Sequence, residues 1–127
     1  MTDAILVVDD DQNILKLEQA ILSKQGYEVT LALGGKECLA QLAEREFDLV
    51  LLDVMMPDVD GYTVCRKIRE DARLSDMPVI FLTAKGGGEA IGEGFDAGGA
   101  MYISKPFTAS KLLEMVRTVL DARGAKA

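Results

Sequence analysis

Residues 4–11 read Ala4-Ile5-Leu6-Val7-Val8-Asp9-Asp10-Asp11, and residues 48–53 read Asp48-Leu49-Val50-Leu51-Leu52-Asp53. Each contains a short apolar run that ends in a carboxylate. A run that is apolar at every position fits a strand covered on both faces, as in the middle of a parallel sheet. Val79-Ile80-Phe81-Leu82 is a third run of this kind, and Tyr27 to Leu31 and Met101 to Ile103 complete a set of five predicted strands. Strands buried on both sides require helices between them.

The intervening segments supply helical spacing. Ile14, Leu17, Ile21 and Leu22 share one helical face, and Gly26 stands where a helix end needs a left-handed residue. Leu39 and Leu42 predict a second helix, and Val64 and Ile68 a third that starts near Asp60-Gly61. Leu112, Leu113, Val116 and Leu120 predict a last one, with Thr108 as its cap and residues 121–127 fraying. The reading is βα repeated five times, which right-handed crossovers fold into a doubly wound α/β sandwich. The segment from Gly86 to Gly99 holds seven glycines where the fourth helix is expected. Glycine costs a helix interior about 1 kcal/mol relative to alanine, so Gly88, Gly92 and Gly94 withdraw roughly 3 kcal/mol of helical preference. Residues 86–97 are therefore expected to form the least stable part of the shell.

The chain has 127 residues, 21 Asp plus Glu against 14 Lys plus Arg, a formal net charge of -7 and no histidine. One domain is expected, over residues 1–122, with a short tail at 123–127 and no output domain. The acidic balance excludes a phosphate-binding nucleic-acid surface, and the missing histidines exclude a multi-histidine metal site. Cys38 and Cys65 lack metal or redox spacing and read as free thiols half-buried on helices. The longest apolar run, Ala4 to Val8, is far short of the roughly 20 residues that span a bilayer. A cytoplasmic protein is expected, with no direct membrane or nucleic-acid contact.

Doubly wound folds build their sites from the loops at the carboxyl ends of the strands. Those ends carry Asp9-Asp10-Asp11, Asp53, Thr83-Ala84 and Lys105-Pro106. If the first strand lies beside the third, Asp9, Asp10 and Asp53 converge. Two like charges about 4 Å apart repel by about 4 kcal/mol at an effective dielectric near 20. A hard divalent cation relieves that repulsion, Mg²⁺ prefers such oxygen donors, and Lys105 adds a compact positive charge. Asp11 reads as an ordinary helix N-cap.

These strand ends resemble the receiver domain of two-component response regulators, including the chemotaxis-regulator type. The likeness is carried by residues 5–11, 48–61 (Asp48 through Met55-Met56-Pro57 to Gly61), 79–84 and 102–107, and it extends over essentially the whole chain. It implies a flavodoxin-like (βα)5 fold with strand order 2-1-3-4-5. It also implies a phosphoacceptor at Asp53, charged by a sensor histidine kinase or a histidine phosphotransfer protein. Asp9, Asp10, Asp53 and the backbone carbonyl of Met55 would serve Mg²⁺, Asp9 through water. Thr83 and Lys105 would engage the phosphoryl oxygens, Tyr102 would turn inward as a switch with Thr83, and Lys105-Pro106 would be cis. A monomer that signals through a downstream protein is implied, rather than an enzyme with its own substrate. Met55 and Lys85 flank the site and are expected to modulate water access.

Other chemistries fit less well. A haloacid-dehalogenase-like phosphohydrolase needs a second Asp where Met55 stands. A flavodoxin's phosphate loop would be repelled by Asp9-Asp10-Asp11. Gly92-Glu93-Gly94-Phe95-Asp96-Ala97 matches a dinucleotide fingerprint formally, but it does not open directly from a strand.

Overall fold

The computed structural model describes residues 2–84 and 101–125. Five strands, β1 (Ala4–Val8), β2 (Glu28–Ala32), β3 (Leu49–Asp53), β4 (Val79–Thr83) and β5 (Met101–Ser104), form one parallel sheet in the order β2-β1-β3-β4-β5. The three continuously apolar runs are the three inner strands, as their patterning predicts. Four helices lie among the described residues: α1 (Gln12–Lys24), α2 (Gly35–Glu44), α3 (Gly61–Glu70) and a C-terminal helix (Ala109–Ala125). Residues 85–100 lie outside the described set. The expectations for Lys85, for the glycine-rich segment 86–97 and for the Gly92–Ala97 pattern all fall there.

Alternation along the strands divides the core in two. Ile5, Val7, Leu49, Leu51, Ile80, Leu82 and Ile103 face Leu15 and Leu22 of α1 and Leu112, Val116 and Leu120 of the C-terminal helix. Leu6, Val8, Val50, Leu52, Val79 and Phe81 face Cys38 and Leu42 of α2 and Val64, Cys65 and Ile68 of α3. Successive side chains of a strand point to opposite faces, so each inner strand feeds both cores.

The helix ends behave as their sequences suggest. Asp11 caps α1, its carboxylate accepting from Asn13 N at 2.8 Å, and Gly26 takes a φ of 92° just beyond that helix. Asp60 caps α3 by accepting from Thr63 N at 2.9 Å, and Thr108 Oγ1 accepts from Lys111 N at 3.0 Å.

Four details depart from expectation. The core line of α1 is Leu15, Glu18 and Leu22, one step round from the predicted face, and Leu17 is 47% exposed. The apolar residues of α1 cover more than one stripe, and packing against the sheet selects the line that includes Glu18. In α2 the buried apolar side chains are Cys38 and Leu42, with Leu39 only partly covered. Cys38 and Cys65 are completely buried, because α2 and α3 both press on the same face of the sheet. The C-terminal helix continues through Ala125 where fraying was expected, because Arg123 ties its end to the turn before β3, donating to Phe47 O at 3.3 Å and Asp48 O at 2.5 Å.

Candidate functional site: an acidic pocket at the carboxyl edge of the sheet

The strand alternation also places the site residues. Asp9 continues the series Ile5, Val7, and Asp53 continues Leu49, Leu51, so both carboxylates emerge on the α1 side. Lys105, two residues beyond Ile103, joins them there. Thr83 continues the series Val79, Phe81 and belongs to the α3 side, as does Tyr102, whose register partner is Phe81. The acid cluster and the Thr83–Tyr102 pair thus leave opposite faces of the same sheet edge.

The neighbouring positions of β1 and β3 make the carboxylates meet. Asp9, Asp10 and Asp53 each offer an oxygen, and these oxygens all lie within 4.8 Å of one another. Asp9 and Asp53 are 1% and 4% exposed, whereas Asp10 is open to solvent. The Lys105 ammonium donates to Asp9 Oδ2 at 2.7 Å and to Asp53 Oδ1 at 3.1 Å. Its backbone N–H donates to Thr83 O at 2.9 Å, which fixes the loop that starts with the cis Lys105-Pro106 peptide. Burial and the charge of Asp9 push the Asp53 pKa up to about 6, against the opposing pull of Lys105. Asp53 is therefore an anion at neutral pH, but a poorly compensated one. Among the described residues, one cation against two buried carboxylates and a third at the rim leaves excess negative charge, and the all-oxygen donor set suits Mg²⁺.

The floor behind Asp53 is tightly packed. Gly61 N donates to Val54 O at 2.9 Å, and a Cβ at Gly61 would stand 2.3 Å from Asp53 O. This close approach is the reason for glycine there. Farther along the loop, Asp58 accepts from Gly35 N at 3.2 Å and Lys36 N at 3.0 Å, so it caps α2 from across the chain. The Lys36 hydrogen bond in particular holds its pKa below the ordinary carboxylate value. Sequence reading passed over Asp58, because its partners lie 22 and 23 residues away.

On the other side, Thr83 is 2% exposed at the end of β4. Tyr102 is half-buried, its ring 5.3 Å from that of Phe81, and its hydroxyl lies 3.2 Å from the Tyr62 hydroxyl. Tyr62 in turn meets Phe81 edge-on at 5.0 Å. Tyr102 thus belongs to an aromatic group rather than to an open sheet edge. Met55 is 55% exposed beside the pocket.

Sequence reading also missed Glu18. It is 1% exposed, it faces inward between Leu15 and Leu22, and neither carboxyl oxygen has a hydrogen-bond partner among the described residues. The helical face it shares with those leucines is one of several that the apolar residues of α1 allow, so spacing alone did not single it out.

Comparison with known proteins agrees with this geometry. The profile of the response regulator receiver domain matches residues 5–117. The chain is 41% identical over 116 residues to the DNA-binding dual master transcriptional regulator RpaA of Synechocystis, and 42% identical over 116 residues to the transcriptional regulatory protein ResD of Bacillus subtilis. Those matches cover 91% of this chain but only 48% and 47% of the relatives, so the chain spans about half the length of these curated relatives. A CheY-like receiver domain protein from Methanospirillum hungatei superposes with a TM-score of 0.94 at 32% identity, over 100% of both chains. The chemotaxis protein CheY4 of Vibrio cholerae gives 0.91 at 30% identity, over 94% of this chain and 99% of that one. With its strand order, its acidic pocket and this profile match, the chain belongs to the response regulator receiver domain family.

Proposed function

We propose that the protein accepts a phosphoryl group on Asp53 from a phosphohistidine of a sensor kinase or phosphotransfer protein, in a Mg²⁺-dependent reaction. It then signals through protein contacts that depend on this modification. The observation that carries the reading is the convergence of Asp9, Asp10 and Asp53 within 4.8 Å, with Lys105 bridging two of them.

Asp53 supplies the nucleophile. Lys105 holds Oδ1, which leaves the second oxygen to attack phosphorus. An O–P bond forms as the N–P bond to the imidazole breaks, and the imidazole retains the electron pair and takes up a proton. Asp9, Asp10, Asp53 and the Met55 carbonyl would hold Mg²⁺, Asp9 through water; when bound, the cation neutralises carboxylate and phosphoryl charge. Lys105 then stands where it pairs with a phosphoryl oxygen, and the buried Thr83 hydroxyl serves another. Tyr102, on the same sheet face as Thr83, carries the change outward as a shift between two packings.

A protein donor also needs a docking surface, because Asp53 is only 4% exposed. Leu17 and Met55 are exposed, and Ile14 and Ile21 are half-buried, which leaves apolar surface on α1 and at the pocket rim for that purpose. The role is that of a cytoplasmic monomer acting as phosphoacceptor rather than as an enzyme with turnover on a separate substrate. Incubation with a small phosphodonor, with and without Mg²⁺, tests the reading. Wild type should incorporate acyl phosphate only with the cation, and Asp53→Asn should incorporate none. Labelling of the Asn variant at the wild-type level would refute the assignment.

A further inference from the structure

The described interior holds a carboxyl group that the phosphotransfer scheme does not use. Glu18 projects from α1 into the core shared with β1, β3, β5 and the C-terminal helix, and both its oxygens are buried without a hydrogen bond to any described residue. Its apolar neighbours along α1 are Leu15 and Leu22. The C-terminal helix presents Leu112, Val116, Val119 and Leu120 to this core, and β2 presents Val29 and Leu31. The charged groups that act on it come from the pocket above: Asp9 after β1, Asp53 at the end of β3 and Lys105 after β5. A leucine would satisfy the site at no polar cost. An isolated carboxylate, by contrast, is one of the most expensive groups to bury, and it normally survives by holding its proton.

We propose that Glu18 is the proton-linked inner charge of the cation site: protonated while Asp9, Asp10 and Asp53 hold no metal, and ionised when a divalent cation settles on them. The O–H bond of the Glu18 carboxyl breaks and its proton passes to solvent, so cation entry and proton release form one equilibrium. The metal-free state fits this role. Burial is the main influence and Asp9 the next, together pushing the Glu18 pKa up to about 8, with Lys105 pulling it down and Asp53 raising it. A divalent cation cancels the Asp9 and Asp53 contributions and adds attraction of its own. Glu18 bonds neither carboxylate and lies eight residues beyond Asp10, so it acts through the field rather than as a ligand. By linkage, the ionised carboxyl tightens cation binding by the same factor by which the cation favours ionisation.

The inference rests on the reading of the three aspartates as a cation site, and calorimetric titration with MgCl₂ tests the two separately. Runs at pH 7.5 in buffers of different protonation enthalpy count the protons released. Asp53 is then already ionised, so wild type should release roughly half a proton or more per cation above the count for Glu18→Gln. Wild-type affinity should also rise several-fold from pH 6.5 to 8.5, and this rise should shrink in Glu18→Gln and in Glu18→Leu, the variant that matches the apolar surroundings. The infrared carbonyl band of a protonated carboxyl should weaken on adding MgCl₂ in wild type and be missing from Glu18→Leu. Cation binding with equal proton counts in wild type and both variants overturns the role of Glu18 alone. Absence of binding to wild type overturns the cation site and this inference with it.

Discussion

Without metal, the protein should lose stability as pH rises through neutrality, and Glu18 sets the size of the loss. Its pKa is 4.5 in a model peptide and about 8 in the fold. The folded state thus binds the proton more tightly than the unfolded chain. The Glu18 contribution to stability is complete below pH 4.5, falls as the unfolded chain ionises, and levels off only above pH 8. At about 1.4 kcal/mol per pH unit, the loss reaches about 3 kcal/mol by pH 7, and about 2 kcal/mol of it accrues between pH 6 and 8. Asp53 has the same sign, but its pKa of about 6 ends its contribution near pH 6, so the interval above pH 6 reports mainly on Glu18. Urea unfolding in a chelator at pH 6, 7 and 8 measures the slope. Glu18→Leu should flatten it and raise the pH 7 stability by about 3 kcal/mol, which corresponds to roughly 10 °C in midpoint for a domain of this size. A wild type of constant stability across pH 6–8, or a Glu18→Leu variant that keeps the wild-type slope, would refute the reasoning.

Three other substitutions probe the pocket. Asp10→Ala should weaken Mg²⁺ binding at least tenfold in a calorimetric titration while leaving metal-free stability unchanged or higher, since an exposed like charge is removed; a clear loss of metal-free stability would contradict this. Lys105→Ala should leave two buried carboxylates without their cation, so phosphorylation by a small donor should fall at least tenfold while circular dichroism still reports a folded domain. Gly61→Ala should cost 3 kcal/mol or more in urea unfolding, on the order of other severe steric changes, because its Cβ would meet the Asp53 carbonyl at 2.3 Å.

The sheet was legible because two strand faces buried at once leave a strong mark: Leu49 to Leu52 admits no polar residue, and the same holds for Val79 to Leu82. Asp9, Asp53, Thr83 and Lys105 were legible because each stands immediately after such a run, or within two residues of its end. Two things could not be read from spacing. One was the tie between Asp58 and α2, which spans 22 residues and depends on how a loop folds back. The other was the face of α1, where Ile14, Leu15, Leu17, Ile21 and Leu22 offer more apolar positions than one stripe can use.

The α1 ambiguity has a physical origin that bears on the site. Apolar periodicity assigns the inward face by counting favourable contacts, so it moves the helix one step away from any line containing a glutamate. Sheet packing instead buries Leu15, Glu18 and Leu22, and leaves Leu17 outside at 47% exposure. Turning the helix by one residue would expose Glu18 and cover Leu17, removing the desolvation of the acid, yet the termini do not permit it. Asp11 fixes the start of α1 through Asn13, and Asp9 Oδ1 accepts from Asp11 N at 2.9 Å, which ties that start to the pocket. Gln25 N donates to Leu22 O and Gly26 N to Ser23 O at the other end. The pocket carboxylate therefore works with sheet packing to hold the rotation of the helix that carries Glu18. Asp9→Asn keeps an oxygen for the Asp11 amide and should leave Glu18 buried, whereas Asp9→Ala removes it. Amide exchange at Asp11 should then accelerate in the Ala variant only. Equal protection in both would mean that core packing alone holds α1 in place.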